Sequence, residues 1–179
     1  MKILIVGGYG VFGGRLAQLL AECAGLDLVI AGRNLAAATR FCADWHGVAT
    51  VTPLGFDRTA PGAILAGLRP DLVVDASGPF RNYGADPYGL VRAALTVGAD
   101  YLDLADGAAF VAGISRFDAA AKAAGRFVLS GASSFPVLTV AVVRIVTGHG
   151  GDRGRGGNRT VTLCRGRPER AARRVGLCR

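Results

Sequence analysis

The sequence predicts an α/β fold, a doubly wound parallel sheet of about six strands with helices on both faces. Short apolar runs of strand length recur along the chain, each followed by a stretch with helical spacing. The first run, Ile3-Leu4-Ile5-Val6, has the length and branched side chains of a strand buried on both sides. It breaks into Gly7-Gly8-Tyr9-Gly10-Val11-Phe12-Gly13, so that glycines at 8, 10 and 13 spell G-x-G-x-x-G between a strand and a helix.

In that setting the pattern is read as a loop that holds a dinucleotide. Gly8 allows the tight turn out of the strand, Gly10 lets the main chain approach a pyrophosphate, and Gly13 lets the helix pack close to the sheet. The N–H groups of this stretch and the positive end of the helix dipole meet the phosphate charge. Gly8, Tyr9, Gly10, Val11, Phe12 and Gly13 are therefore the candidate pyrophosphate-binding set. The helix is expected to bury a face formed by Phe12, Leu16, Leu19 and Leu20.

The second strand, Asp27 to Ala31, ends at Gly32-Arg33-Asn34. An NAD-specific domain usually places an acid here for the ribose 2′-hydroxyl. Arg33 stands there instead, and a guanidinium suits a 2′-phosphate, so NADP is favoured over NAD; a solvated loop arginine is the competing reading. Asn34 is placed to cap a helix carrying Leu35, Ala38, Phe41, Cys42 and Trp45 on one face, with His46 at its end. A third strand, Val48 to Leu54, leads to Asp57, which either caps the next turn or approaches the adenine amino group.

The fourth strand, Asp71 to Ala76, runs into Ser77-Gly78-Pro79. Sheet direction reverses between the first and fourth strands, so their ends flank the ligand crevice and these three residues line the nicotinamide half. A turn of purely structural purpose is the alternative. Then come a helix from Asp86 to Val97, a strand from Tyr101 to Ala105, a long helix from Gly107 to Ala124 and a strand from Arg126 to Ser130. Gly131 to Pro136 opens another helix ending near Val146. Asp103, Asp106, Ser133 and Ser134 fall at strand ends on the ligand side, where each also reads as a helix cap.

Size and charge narrow the possibilities. At 179 residues the chain holds one full domain rather than two. Hydrophobic residues make up 51%, but residues 127–147, the most apolar stretch, are interrupted by Ser130, Ser133, Ser134, Pro136 and Arg144, so no membrane span is expected. The N-terminus does not read as a signal peptide, and four scattered cysteines (Cys23, Cys42, Cys164, Cys178) are expected to be reduced in the cytoplasm. Residues 1–147 carry 12 basic against 11 acidic side chains, whereas residues 148–179 carry 9 against 2. The net charge of +8 thus sits almost wholly in an Arg/Gly-rich tail, expected to be disordered. A nucleic-acid arm is the rival reading of that tail, and it is disfavoured because the tail has no aromatic residue for base stacking.

Taken together, GGYGVFG at 7–13, AGRN at 31–34, DASGPF at 75–80 with Tyr83-Gly84, ADYLDLADG at 99–107 and GASSFP at 131–136 resemble the NADP-binding domain of the saccharopine dehydrogenase and saccharopine reductase-like family. The resemblance covers about residues 1–147. It implies that Gly8, Gly10, Gly13 and Arg33 bind NADP, that Ser77, Gly78 and Pro79 line the nicotinamide, and that hydride passes between NADP and a carbonyl or imine. It also implies a following substrate and dimerisation domain, which residues 148–179 do not match, so these residues are expected to derive from a shifted reading frame or a truncation. A homodimer is then expected only of a full-length relative.

Other routes to catalysis find no residues. No tyrosine is followed four positions later by lysine, no cysteine stands at a strand tip, and neither His46 nor His149 belongs to a metal-ligand cluster. Tyr83 and Asp106 are the titratable residues placed nearest the nicotinamide, the catalytic residues are unassigned, and the substrate is unnamed. A non-catalytic NADP-binding or regulatory module on the same fold is the alternative function.

Overall fold

Alternate residues of the first strand face opposite layers, and that alternation organises the molecule. The computed structural model describes residues 1–80 and 84–133, together with the backbone of 162–165. In β1 (Lys2–Val6), Leu4 and Val6 enter one apolar core while Ile3 and Ile5 enter the other, all almost fully buried. A strand apolar on both sides has to lie inside a parallel sheet covered by helices on each face. The sheet order is β3 (Thr50–Gly55), β2 (Asp27–Gly32), β1, β4 (Leu72–Asp75), β5 (Asp100–Asp103), β6 (Phe127–Ser130), β7 (Thr162–Arg165). The first six strands run parallel, as expected of the α/β class.

A seventh strand adds to the six parallel strands expected from the sequence. Its backbone pairs antiparallel with β6, from Phe127 opposite Arg165 to Ser130 opposite Thr162, and so covers the β6 edge. At the other edge, β3 carries Pro53, in register with Ile30. Proline has no N–H to donate and is found in sheets at such edges. The helix expected between Gly131 and Val146 falls, from Ser134 onward, outside the described residues, as do Tyr83 and His149.

On the Ile3 face lie α1 (Val11–Leu19) and α2 (Leu35–Ala43); on the Leu4 face lie α3 (Gly62–Leu68), α4 (Gly89–Thr96), α5 (Ala108–Gly113) and α6 (Asp118–Ala124). The sequence pattern misjudged α1. Phe12 and Leu19 are 68% and 63% exposed, whereas Leu16 and Leu20 pack half-buried on the core and the fully buried positions are Gly13, Gly14 and Ala17. Small residues bring its axis close to the sheet, so the large ones at neighbouring positions are pushed outward. Asn34 does cap α2, its Oδ1 accepting from the Ala37 N–H at 3.0 Å. Trp45 lies beyond the helix end, tilted on Phe41 and donating from Nε1 to the Ala49 carbonyl.

The long helix expected over 107–124 is broken by a 3-10 turn at Ile114–Phe117. The Tyr88 hydroxyl packs where a side chain at Gly113 would project and donates to the Phe110 carbonyl at 3.0 Å. Cys23, expected to be a reduced packing residue, is disulfide-bonded, whereas Cys42 is a free thiol. Among the described residues no helix is long and apolar enough to cross a membrane.

Candidate functional site

β1 and β4 are hydrogen-bonded neighbours, yet the chain leaves their ends in opposite lateral directions, so a crevice opens there. The glycine loop forms its floor. Gly7, not Gly8, makes the turn out of β1: its φ is +78°, and its N–H and that of Gly8 both donate to the Ala31 carbonyl. A Cβ on Gly7 would lie 2.9 Å from the Ala76 oxygen and the Ser77 Cα, so the two loops flanking the crevice touch through their main chains. Gly8 is needed for another reason, since its Cβ would stand 2.8 Å from the Ile5 oxygen and 3.1 Å from Ile30. At Gly13 a Cβ would overlap the Gly7 carbonyl, which is the close helix approach the sequence predicted.

Gly10 occupies the N-cap of α1 with an extended backbone, and no side chain caps this helix. The first-turn N–H groups of an α-helix lack intrahelical acceptors. Those of Val11, Phe12 and Gly13 therefore stand at the crevice with the positive end of the dipole, and no acidic residue lies in that turn. The arrangement fits a diphosphate: bare main chain, uncapped donors and room for no side chain.

At the tip of β2 the Arg33 side chain is exposed and makes no hydrogen bond or salt bridge among the described residues. Asp57, on the loop after β3, is close enough for Arg33 to contribute to lowering its pKa, after the larger effects of the Thr59 N–H and hydroxyl. Both Thr59 groups donate to Asp57 Oδ1, at 2.9 and 2.7 Å, so the carboxylate closes its own turn.

The loop after β4 is pinned at both ends. Asp75, fully buried, accepts at Oδ1 from the Ser77 N–H at 3.0 Å and the Ser77 hydroxyl at 2.6 Å, while Oδ2 takes the Arg58 guanidinium at 3.1 Å. Phe80, buried at the far end, packs on Phe110, which in turn stacks on Tyr88. Between these anchors Gly78 and Pro79 are exposed, joined by a cis peptide bond. Sequence reasoning missed Arg58 and Asp75, seventeen positions apart; the one local signal was an Asp two places before Ser77, the spacing of a side-chain-closed turn.

Asp103, in register with Asp75 on the neighbouring strand, is also fully buried. Its Oδ1 accepts from the Ala105 and Gly131 N–H groups and the Ser130 hydroxyl, at 2.9–3.0 Å, so it closes the turns after β5 and β6; among the described residues Oδ2 has no hydrogen-bond partner. Burial, reinforced by the Asp75 charge, raises its pKa from 3.8 to about 6 against those three bonds. A raised carboxyl pKa means the folded chain holds a proton that the unfolded chain has released between pH 4 and 6. Stability accordingly falls as pH rises through that window, by roughly 3 kcal/mol in all. Denaturant unfolding at pH 4, 5 and 6 is expected to show this decline in wild type and not in Asp103→Asn. Asp106 is exposed, and Ser134 lies outside the described residues.

The sequence model of the saccharopine dehydrogenase NADP-binding domain matches residues 3–129. The chain belongs to that family. NADP is the cofactor of this domain, the nucleotide favoured from the sequence. No curated protein matches the chain. Among solved structures, the chain is similar to apo saccharopine dehydrogenase (L-Glu forming) from Saccharomyces cerevisiae, at 18% identity and TM-score 0.58, over 83% of this chain and 32% of that one. It is similar to a 3-oxoacyl-acyl-carrier-protein reductase from Brucella melitensis at 17% identity and TM-score 0.53, over 72% and 67%. A Thermus thermophilus WlbA dehydrogenase, in complex with NAD and UDP-GlcNAcA, aligns at 20% identity and TM-score 0.53, over 88% and 52%. At these identities the likenesses establish the fold, and the family member spans about a third of the length of the yeast enzyme. Among the described residues no group of His, Cys, Asp and Glu is arranged to hold a metal ion.

Proposed function

We propose that the crevice seats NADP extended across the sheet, as the cofactor half of an oxidoreductase that moves hydride between NADP and a carbonyl or imine. The observation that carries this reading is the uncapped start of α1 above a floor where Gly7, Gly8 and Gly13 admit no Cβ. Backbone N–H groups of Val11, Phe12 and Gly13 hold the diphosphate, and Gly10 gives it access. Arg33, with Asn34 beside it, takes the 2′-phosphate end, and Asp57 borders the adenine. Ser77, Gly78 and Pro79 lie along the nicotinamide ring, fixed by the Asp75 bonds on one side and Phe80 on the other. Bound NADPH supplies the hydride, and this chain supplies its orientation.

The chain matches about a third of the length of the yeast enzyme, and binding with little turnover is expected of these 179 residues. Fluorescence titration should show saturable NADPH binding, weaker NADH binding, and about a tenfold loss of NADPH affinity in Arg33→Ala with NADH unchanged. Failure to bind either nucleotide would overturn the assignment. A non-catalytic NADP-binding module is the second reading, favoured by the Asp75 carboxylate at the base of this loop being taken up by Arg58 and Ser77. Substantial turnover with imine or aldehyde substrates would exclude it.

A further inference from the structure

Tyr9 is the first variable position of the glycine loop, yet its side chain leaves the loop for the tip of β2. Its ring covers Gly32 so closely that a Cβ there would lie 2.5 Å from the ring edge and the hydroxyl. The hydroxyl oxygen accepts from the Asn34 N–H at 3.0 Å. Tyr9 is thus bound on both flanks of Arg33, by packing on the residue before it and a hydrogen bond to the residue after it.

A phenol whose oxygen accepts one hydrogen bond still has its own proton to donate. Among the described residues that proton meets no acceptor. Arg33, the residue between Gly32 and Asn34, also lacks a hydrogen-bonding partner among the described residues. Two donors without an acceptor among the described residues, one of them a cation, are thus brought to the tip of β2, Arg33 by the chain and Tyr9 by its contacts with Gly32 and Asn34. They make a seat for a compact anion with several acceptor oxygens. The Asp57 carboxylate is the opposing charge in this corner, and the two Thr59 bonds to its Oδ1 draw it toward its own turn.

We propose that the Tyr9 hydroxyl is a specificity-determining group for the adenosine 2′-phosphate, donating its proton to that phosphate while the Asn34 N–H holds its oxygen. This rests on the NADP seat described above and adds a second reader to Arg33. Because the same side chain springs from the diphosphate loop, Tyr9 ties the seat of the diphosphate to the seat of the 2′-phosphate.

Tyr9→Phe keeps the ring over Gly32 and removes only the hydroxyl. NADPH affinity should fall about fivefold, with NADH affinity unchanged within about twofold. In an Arg33→Ala background the same change should have a smaller effect, because both groups serve one phosphate. Adenosine 2′,5′-bisphosphate should perturb the near-ultraviolet tyrosine spectrum of the wild-type chain, adenosine 5′-monophosphate should not, and this difference should vanish in Tyr9→Phe. That measurement on the wild-type protein keeps the proposal testable if the variant folds poorly. If wild type prefers NADPH in an Arg33-dependent way but Tyr9→Phe leaves the NADPH-to-NADH ratio intact, or weakens both nucleotides equally, the Tyr9 proposal fails while the site stands. If wild type binds neither nucleotide, the site itself fails.

Discussion

Gly10→Asp is expected to abolish useful NADPH binding while leaving the fold intact. Gly10 sits at the N-cap of α1 with φ −80° and ψ 177°, an extended conformation any residue adopts. Aspartate is among the best N-cap residues, so the substitution satisfies α1 donors that are now uncapped. The added Cβ would lie 3.1 Å from the Gly7 oxygen, a tight contact that a small shift relieves. The helix therefore gains a cap, and the nucleotide loses its donors to a carboxylate that also repels phosphate. An affinity loss of about 100-fold or more, roughly 3 kcal/mol, is expected. Gly10→Ala, which adds bulk without charge, should lose much less. Calorimetric titration beside thermal melts checks both halves, and Gly10→Asp binding NADPH within about threefold of wild type would remove the diphosphate from α1.

Asp75→Ala is expected to be the most damaging single change to the crevice wall. Asp75 is fully buried and holds three groups at once: the Arg58 guanidinium, the Ser77 N–H and the Ser77 hydroxyl. Removing the carboxylate takes the Asp75 ion pair from a largely buried guanidinium and leaves the two Ser77 donors without this acceptor, a class of change that costs about 3 kcal/mol. Asp75→Asn should lose less, because an amide oxygen still accepts from Ser77. Equilibrium denaturation measures both. Removing the Asp75 charge should also lower the Asp103 pKa, moving the stability decline between pH 4 and 6 toward lower pH. An Asp75→Ala chain within about 1 kcal/mol of wild type would show that the Ser77 loop is held by other contacts.

The parts legible in the sequence were those written in short-range chemistry. The four apolar residues of β1, the glycine break, Arg33 at the strand tip and Asn34 at a helix start each carry their signal within a few neighbours. The tandem Gly7-Gly8 defeated the register of the glycine pattern, because which one turns the chain depends on φ and on contact with Ala76 and Ser77, 69 and 70 positions on. The hidden face of α1 was misread because the pattern rewards large apolar residues, whereas a helix seated close to a sheet buries small ones. Helix α3, seven residues including two glycines, lacks the length for a period to show. The Arg58–Asp75 pair joins loops from strands that three other pairings separate in the sheet, and no local rule anticipates it.

The two ends of the sheet bear on how the molecule meets its own copies. An unpaired strand margin is a template for a further chain. On the β6 side β7 pairs with that margin and becomes the outermost strand, whereas on the β3 side Pro53 withholds one donor from any incoming strand. Strand addition from a second molecule is thereby disfavoured at the β3 margin, where the ladder cannot run unbroken past Pro53.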